Sequence, residues 1–179
     1  MIYMFLAEGF EEIEALCPLD LFRRAGLEVR TVGIGSKTVC GSHGIRVEAD
    51  MTEEEYSDNA PELIFLPGGM PGTLNLKDSA AVQAAIANAS KRGAYIAAIC
   101  AAPMILGELG LLQGKEAICY PGFEEKLTGA KISDKRVVCD GRILTAAGMG
   151  AALDFGLLII ETLKDKDTAD ALRRAVIAD

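Results

Sequence analysis

The strongest chemical signal in the sequence is a cysteine placed between a strand-like run and small residues. Cys100 ends an apolar stretch and is followed at once by two alanines and a proline, in the string Ala-Ala-Ile-Cys-Ala-Ala-Pro at 97–103. A strand that stops at a nucleophile and turns directly into a helix forms a nucleophile elbow. Unpaired N–H groups at the start of that helix favour a thiolate. We therefore predict that Cys100 is a reactive thiol rather than a packed core cysteine.

A glycine pair could supply backbone donors to this thiol. Gly68 and Gly69 lie in the string Leu-Pro-Gly-Gly at 66–69, directly after another apolar run. The carboxyl ends of parallel strands meet at one edge of a sheet, where open α/β folds bind ligands. If the two strands are neighbours, the Gly69 N–H can donate to an oxyanion formed on Cys100. The alternative is a plain turn.

An acidic run after the first apolar segment could supply a proton. Glu11, Glu12 and Glu14 all stand where the chain would leave its first strand and begin a helix. A carboxyl group beside a thiolate stays protonated, because like charges raise its pKa, and it can then donate to sulfur or carry a proton. The residue types leave open which of the three does so. The alternative is a solvated acidic face.

Strand-like and helix-like patterns alternate along the chain and must position these groups. The predicted strands are 2–6, 28–32, 62–66, 94–99 and 117–119. The predicted helices are 11–25, which Pro18 should kink or break, 78 or 79 to 92, 101–109, 150–163 and 168–176. Hairpins are expected at 39–47 and at the Asp140-Gly141 turn. This order predicts one α/β domain over 1–179, with a mostly parallel sheet and helices on both faces.

Composition limits the classes of function. The chain has 179 residues, with 18 Lys+Arg against 26 Asp+Glu and a net charge of -8, which disfavours nucleic acid and anionic membrane surfaces as partners. A single histidine, His43, excludes sites that need two imidazoles, and no cysteine pair has the spacing of a zinc site. The longest apolar run, 155–160, is too short to span a bilayer. We expect a cytoplasmic protein without a bound metal.

Five strings of the sequence, taken in order, resemble the DJ-1 (ThiJ/PfpI) superfamily. They are Glu-Gly-Phe-Glu-Glu-Ile-Glu at 8–14, Leu-Phe-Arg-Arg-Ala-Gly at 21–26, the two strings at 66–69 and 97–103, and Leu-Thr-Ala-Ala-Gly-Met-Gly at 144–150. The resemblance implies a flavodoxin-like three-layer sandwich, commonly a homodimer, that needs no cofactor. It also assigns roles to individual residues: the reactive cysteine (Cys100), its glutamate partner (Glu14), backbone donors (Gly69 and Ala101) and residues near a dimer interface (Arg24 and His43).

One position departs from the superfamily pattern. Relatives credited with glyoxalase or deglycase activity often carry a histidine before a proline, and here that residue is Tyr120. Tyrosine can orient a substrate, but it is a poor base at neutral pH. The resemblance implies cysteine-dependent glyoxalase or deglycase action on reactive dicarbonyls such as methylglyoxal and glyoxal, or on their adducts. The alternative is an oxidative-stress sensor or protective chaperone that acts through oxidation of Cys100. A cysteine peptidase is disfavoured because it needs a base.

Overall fold

Strands and helices alternate from end to end in the computed structural model, which describes residues 1–57 and 59–178. Asp58 and Asp179, both within the predicted domain span of 1–179, lie outside the described residues. The strands are β1 (Ile2–Leu6), β2 (Val29–Gly33), β3 (Thr38–Cys40), β4 (Arg46–Glu48), β5 (Met51–Thr52), β6 (Leu63–Leu66), β7 (Tyr95–Ile99), β8 (Glu116–Ala117), β9 (Lys131–Ile132), β10 (Val137–Asp140) and β11 (Ile143–Ala146). The helices are α1 (Glu12–Arg24), α2 (Gly72–Asp78), α3 (Ala80–Arg92), α4 (Pro103–Glu108), α5 (Ala152–Leu163) and α6 (Lys166–Ala175), and short 3-10 turns lie at Glu124–Lys126 and Met149–Ala151.

A seven-stranded sheet forms the middle layer, in the order β10-β11-β7-β6-β1-β2-β5. Its neighbouring strands pair in parallel, except for the antiparallel hairpin of β10 and β11. The predicted mostly parallel sheet is therefore confirmed. The hairpin expected at 39–47 is also present, as antiparallel β3 and β4.

Helices cover both faces of the sheet because each central strand is apolar on both sides. Ile2, Met4 and Leu6 of β1 pack in one buried cluster with α1 and α5, whereas Tyr3 and Phe5 pack in a second cluster with α3 and α4. Side chains alternate along a strand, so a fully apolar strand can supply two cores at once. This gives the predicted three layers. No helix within the described residues is long and apolar enough to cross a membrane.

The strand order brings the predicted chemical groups to one edge. β6 lies between β1 and β7, with Leu66 beside Ala98, so the chain leaves both β6 and β7 at the carboxyl edge of the sheet. The first helix begins at the same edge, just after β1. β6 and β7 are therefore neighbours, as the prediction for the Gly69 N–H requires.

Two predicted boundaries were wrong, and of the kink or break expected at Pro18 the break does not occur. Pro18 does not break α1, which is continuous over Glu12–Arg24 and packs closely on α5 at Gly156. The helix after β7 begins at Pro103 rather than at 101, after a short turn at 100–102. The strand predicted at 117–119 ends at Ala117.

Candidate active site

The turn after β7 places Cys100 in a strained backbone conformation. Its φ of 66° is in the left-handed region, which residues other than glycine adopt rarely and at an energetic cost. The Cys100 N–H donates to the carbonyl of Ala146 at 2.9 Å, and the Cys100 carbonyl accepts from the Tyr120 N–H at 2.8 Å. These bonds hold the turn, and the thiol is left only partly buried at the sheet edge. This is the elbow geometry that the sequence predicts.

Gly68 allows the elbow and the first helix to approach each other. A Cβ atom at this position would lie 2.5 Å from the Cys100 Cβ and 2.5 Å from Glu14 Oε2, so any side chain here would collide with both groups. The Gly68 N–H donates to Glu14 Oε2 at 3.0 Å. Gly68 is therefore directed at the carboxyl group and not at the sulfur. The N–H groups of Gly69 and Ala101 act on the sulfur instead, where they lower the pKa of the Cys100 thiol.

Glu14 is the acidic residue that reaches Cys100. Its side chain is 1% exposed in the first turn of α1, and its carboxyl group lies beside Cys100, since a Cβ at Gly68 would meet both groups. Glu11 instead caps the helix, since its Oε2 accepts from the Glu14 N–H at 2.7 Å. The Glu11 N–H also donates to the Gly68 carbonyl at 3.0 Å, which ties the start of α1 to the glycine turn. The three acidic residues of the run thus have different partners, and the solvated-face alternative does not hold for Glu14.

Glu12, His43 and Arg24 lie apart from the thiol. Glu12 is buried and accepts hydrogen bonds from the backbone N–H and Nδ1 of His43, at 2.7 and 3.0 Å. Burial raises the pKa of Glu12, but these bonds outweigh it and lower the pKa to about 2. Arg24 is exposed and pairs with Asp20 of its own helix at 2.6 Å. The interface roles of Arg24 and His43 stay predictions.

Among the described residues, the side chains that could together bind a metal ion lie in the same acidic region. One atom each from Glu11, Glu12 and His43 lies within 4.8 Å of the others. Each carboxylate of the group is already used, Glu11 by the Glu14 N–H and Glu12 by His43. The cluster is thus explained by hydrogen bonds within the protein, and the expectation of no bound metal stays a prediction.

Cys100 and Glu14 form a coupled acidic pair. Burial, followed by the neighbouring Glu14 carboxylate, raises the pKa of Cys100 to about 12, although the Gly69 and Ala101 N–H groups oppose the shift. Burial also raises the pKa of Glu14 to about 7. The expectation that the elbow alone gives a low-pKa thiol was therefore wrong, because the helix N–H groups do not outweigh burial beside a carboxylate. A thiolate forms at neutral pH only if its proton passes to Glu14.

The pair should titrate as a unit, which gives a prediction for thiol reactivity. One negative charge forms with a pKa of about 7, on either oxygen or sulfur, and a second only near 12. The thiolate is a fixed fraction of the singly charged pair, so its reactivity follows these macroscopic pKa values. Alkylation of Cys100 by iodoacetamide, followed by mass spectrometry, should rise to a plateau through an inflection near pH 7. A rate that stays negligible until strongly alkaline pH would show that the proton does not move to Glu14.

A small cavity opens beside the pair and contains the residue that departs from the superfamily pattern. It has a volume of about 300 Å³ and is lined mainly by Tyr120, Pro121 and the 147–151 segment. Tyr120 is 51% exposed, and a Cβ at Gly148 would lie 3.2 Å from the Tyr120 ring and 3.8 Å from Glu14 Oε1. Gly148 therefore lies close to both the ring and the carboxyl group.

The backbone N–H of Met149 also acts on Glu14, where it lowers the pKa of the carboxyl group, and the sequence patterns do not indicate this residue. Met149 follows Gly148, the buried glycine that packs beside the carboxyl group. Residue types do not indicate which backbone N–H groups act as donors. In this region only the glycines of the 144–150 string indicate that the backbone approaches another segment closely. This contact makes the loop after β11 part of the site.

Residues 1–162 match the DJ-1/PfpI family. The chain belongs to the DJ-1/PfpI family. Its fold matches the structure of oxidized Toxoplasma gondii DJ-1 with a TM-score of 0.95 and 35% identity, covering 98% of this chain and 97% of that one. This match confirms the flavodoxin-like sandwich that the resemblance implies.

Curated relatives of the chain differ in length and name. It is 38% identical over 169 residues to protein DJ-1 homolog A of Arabidopsis thaliana, covering 92% of this chain but only 43% of that protein. The chain thus spans less than half the length of this relative. It is also 31% identical over 167 residues to glutathione-independent glyoxalase DJR-1.2 of Caenorhabditis elegans, covering 92% of this chain and 89% of that protein.

Proposed function

We propose that this DJ-1/PfpI protein is a cofactor-independent glyoxalase or deglycase that acts on small reactive dicarbonyls or their adducts. The observation that carries the proposal is the coupled pair of partly buried Cys100 and buried Glu14, in which the Gly69 and Ala101 N–H groups act on the sulfur. The pair combines a nucleophile with a group that can gain and lose a proton near pH 7. A relative with 31% identity is named a glutathione-independent glyoxalase, which supports the same chemistry.

The proposed reaction needs no oxidant or reductant. The Cys100 thiolate attacks the aldehyde carbon of methylglyoxal, and Glu14 supplies the proton to the resulting alkoxide of the hemithioacetal. Glu14 then takes the proton from that carbon and returns it to the neighbouring carbon through an enediol, which leaves a thioester on Cys100. Water cleaves the thioester and releases lactate and the thiol. The Gly69 and Ala101 N–H groups would stabilise the negative oxygen while it forms.

The test is formation of lactate from methylglyoxal without glutathione. The purified chain should produce one lactate stereoisomer in excess, because a single carboxyl group delivers the proton to one face of the enediol. Chiral chromatography and the loss of methylglyoxal measure this directly. Racemic lactate at the rate of protein-free buffer would contradict the proposal.

Tyr120 should limit the rate of this reaction. Tyrosine accepts a proton poorly at neutral pH, whereas an imidazole titrates there. Tyr120→His should raise methylglyoxal turnover at pH 7 by about tenfold, because a second base would stand beside Glu14. Initial rates over a range of pH measure the effect. No gain in Tyr120→His, together with loss of activity in Tyr120→Phe, would instead make the tyrosine hydroxyl a catalytic group.

A second candidate function is favoured by the match to an oxidized relative. Hydrogen peroxide could convert the Cys100 thiol to a sulfenic acid and then, with a second peroxide, to a sulfinic acid, releasing one water at each step. The Glu14 carboxylic acid and the N–H groups of Gly69 and Ala101 could donate to the new oxygens. Rapid sulfinate formation in a chain without lactate production would favour this sensor role over the enzyme.

A further inference from the structure

Arg136 brings a positive charge to the cavity beside the reacting pair. The other residues that line this cavity are Tyr120, Pro121 and the uncharged 147–151 segment, so that Arg136 is the charged residue of the described lining. It stands directly before β10, whose first residue pairs with Ala146 at the carboxyl edge of the sheet. Its side chain is 63% exposed, so a ligand in the cavity can reach it.

The protein does not use the whole guanidinium of Arg136. Its Nη2 donates to the Gly150 carbonyl, and its Nη1 lies 3.7 Å from Asp154 Oδ2. The other oxygen of Asp154 accepts from Arg173 at 3.1 Å, so one carboxylate is shared by two guanidinium groups. One positive charge of this group therefore has no ion-pair partner among the described residues. A guanidinium has further N–H donors that a ligand can occupy.

A carboxylate on the ligand fits this unbalanced charge. Its single charge matches the surplus, whereas a phosphate monoester brings about -1.5 to -2, and its two oxygens match the fork of a guanidinium. The carboxylate has to lie away from the reacting carbon, because the Glu14 carboxyl group stands beside Cys100 and like charges repel. Since β11 separates β7 from β10, the backbones of these two strands lie about 10 Å apart. The aldehyde and the carboxylate should therefore occupy opposite ends of a short chain.

We propose that Arg136 is a specificity-determining residue that selects α-oxoaldehydes with a carboxylate at the far end of a short carbon chain. The inference rests on the proposed glyoxalase function and names its substrate class. 4,5-Dioxopentanoate is such a compound, and 2-oxopentanal has the same carbon chain with a methyl group in place of the carboxylate. As with methylglyoxal, the proton on the aldehyde carbon moves to the neighbouring carbon and water cleaves the thioester. 4,5-Dioxopentanoate thus gives 2-hydroxyglutarate without an oxidant or reductant.

The first test compares kcat/KM for these two compounds. The chain should prefer 4,5-dioxopentanoate, and Arg136→Gln should reduce this preference by about 10–100-fold, because a hydrogen-bonded charge pair is lost. The glutamine amide can still donate to the Gly150 carbonyl. The change should appear in KM rather than kcat, since the remote carboxylate is bound equally before and during the reaction.

Arg142→Gln is the matched control for the first test. It removes the same charge from the other end of the β10–β11 hairpin, where Arg142 lies over the Tyr95 ring at 4.3 Å. The preference should be the same in this variant as in the unmodified chain. A preference that survives in Arg136→Gln, an equal loss for both compounds, or no preference in the unmodified chain would overturn the inference.

The second test requires no turnover. 4-Oxopentanoate and 2-pentanone repeat the same pair of shapes as unreactive ketones, and their binding is read as protection of Cys100 against iodoacetamide. 4-Oxopentanoate should protect the thiol in the unmodified chain but not in Arg136→Gln, and 2-pentanone at the same concentration should protect neither. If no dicarbonyl is converted, the glyoxalase proposal fails, and this protection still decides for or against Arg136. If Arg136→Gln does not fold, equal protection of the unmodified chain by the two ketones is sufficient to reject the inference.

Discussion

Replacement of Cys100 by serine should reduce conversion of methylglyoxal by at least about 10³-fold, to the rate of protein-free buffer. Serine keeps the size of the side chain, so the elbow and its bonds to Ala146 and Tyr120 should form as before. A hydroxyl group at this site has no nearby base able to ionise it, whereas the thiol can pass its proton to Glu14. Enzyme assays and circular dichroism of the same preparation measure the loss and confirm the fold.

Cys139→Ser provides the matched control for this substitution. Cys139 is an exposed cysteine on the edge strand β10 and takes no part in the site, so its replacement should leave turnover unchanged. Substantial lactate production by Cys100→Ser would show that the reaction occurs elsewhere. Equal losses in the two variants would point to a general effect of removing a thiol rather than to the elbow.

Glu14→Gln should lower turnover by about 10²–10⁴-fold while the fold is retained. The amide oxygen can still accept from the Gly68 N–H, and the amide nitrogen can donate to sulfur, but neither can move a proton between carbon atoms. The pH profile should change as well. Without a carboxyl group to share the proton, Cys100 titrates alone, and burial keeps the pKa of its thiol above the ordinary cysteine value.

The alkylation inflection should therefore move upward in Glu14→Gln, from near pH 7 to the alkaline range. Glu161→Gln is the control, because it removes an exposed carboxylate of α5 and the same unit of charge. It should change neither the rate nor the inflection. Full turnover in Glu14→Gln would remove Glu14 from the mechanism. An unchanged inflection would mean that the thiol and the carboxyl group do not share a proton.

Local sequence patterns were sufficient for the fold class and for the nucleophile. Alternating apolar runs and helical stretches determine that neighbouring strands are parallel and covered on both faces, because the central strands β1, β6, β7 and β11 are buried on two sides. The elbow is equally local: an apolar strand, a cysteine and two alanines leave few other conformations for residues 97–103. A close approach of the backbone at Gly68 could also be predicted, because the string Pro-Gly-Gly follows a strand.

The partners of the nucleophile were decided only in three dimensions. Glu11, Glu12 and Glu14 are chemically alike and adjacent in sequence, and the helix geometry assigns one to a cap, one to His43 and one to Cys100. The sequence also indicated a low-pKa thiol, because it shows the helix start but not how far burial and a nearby carboxylate oppose it.

The tertiary structure also decided which backbone groups lie at the site. Gly148 lies close to the Glu14 carboxyl group because β11 lies beside β7, and the sequence separation of the two residues gives no sign of this approach. Residue types and their spacing constrain the backbone over only a few neighbouring positions, so they determine the helices, the strands and the local turns. Proton sharing depends on distances of a few ångströms between segments far apart in the chain, and only packing fixes those distances.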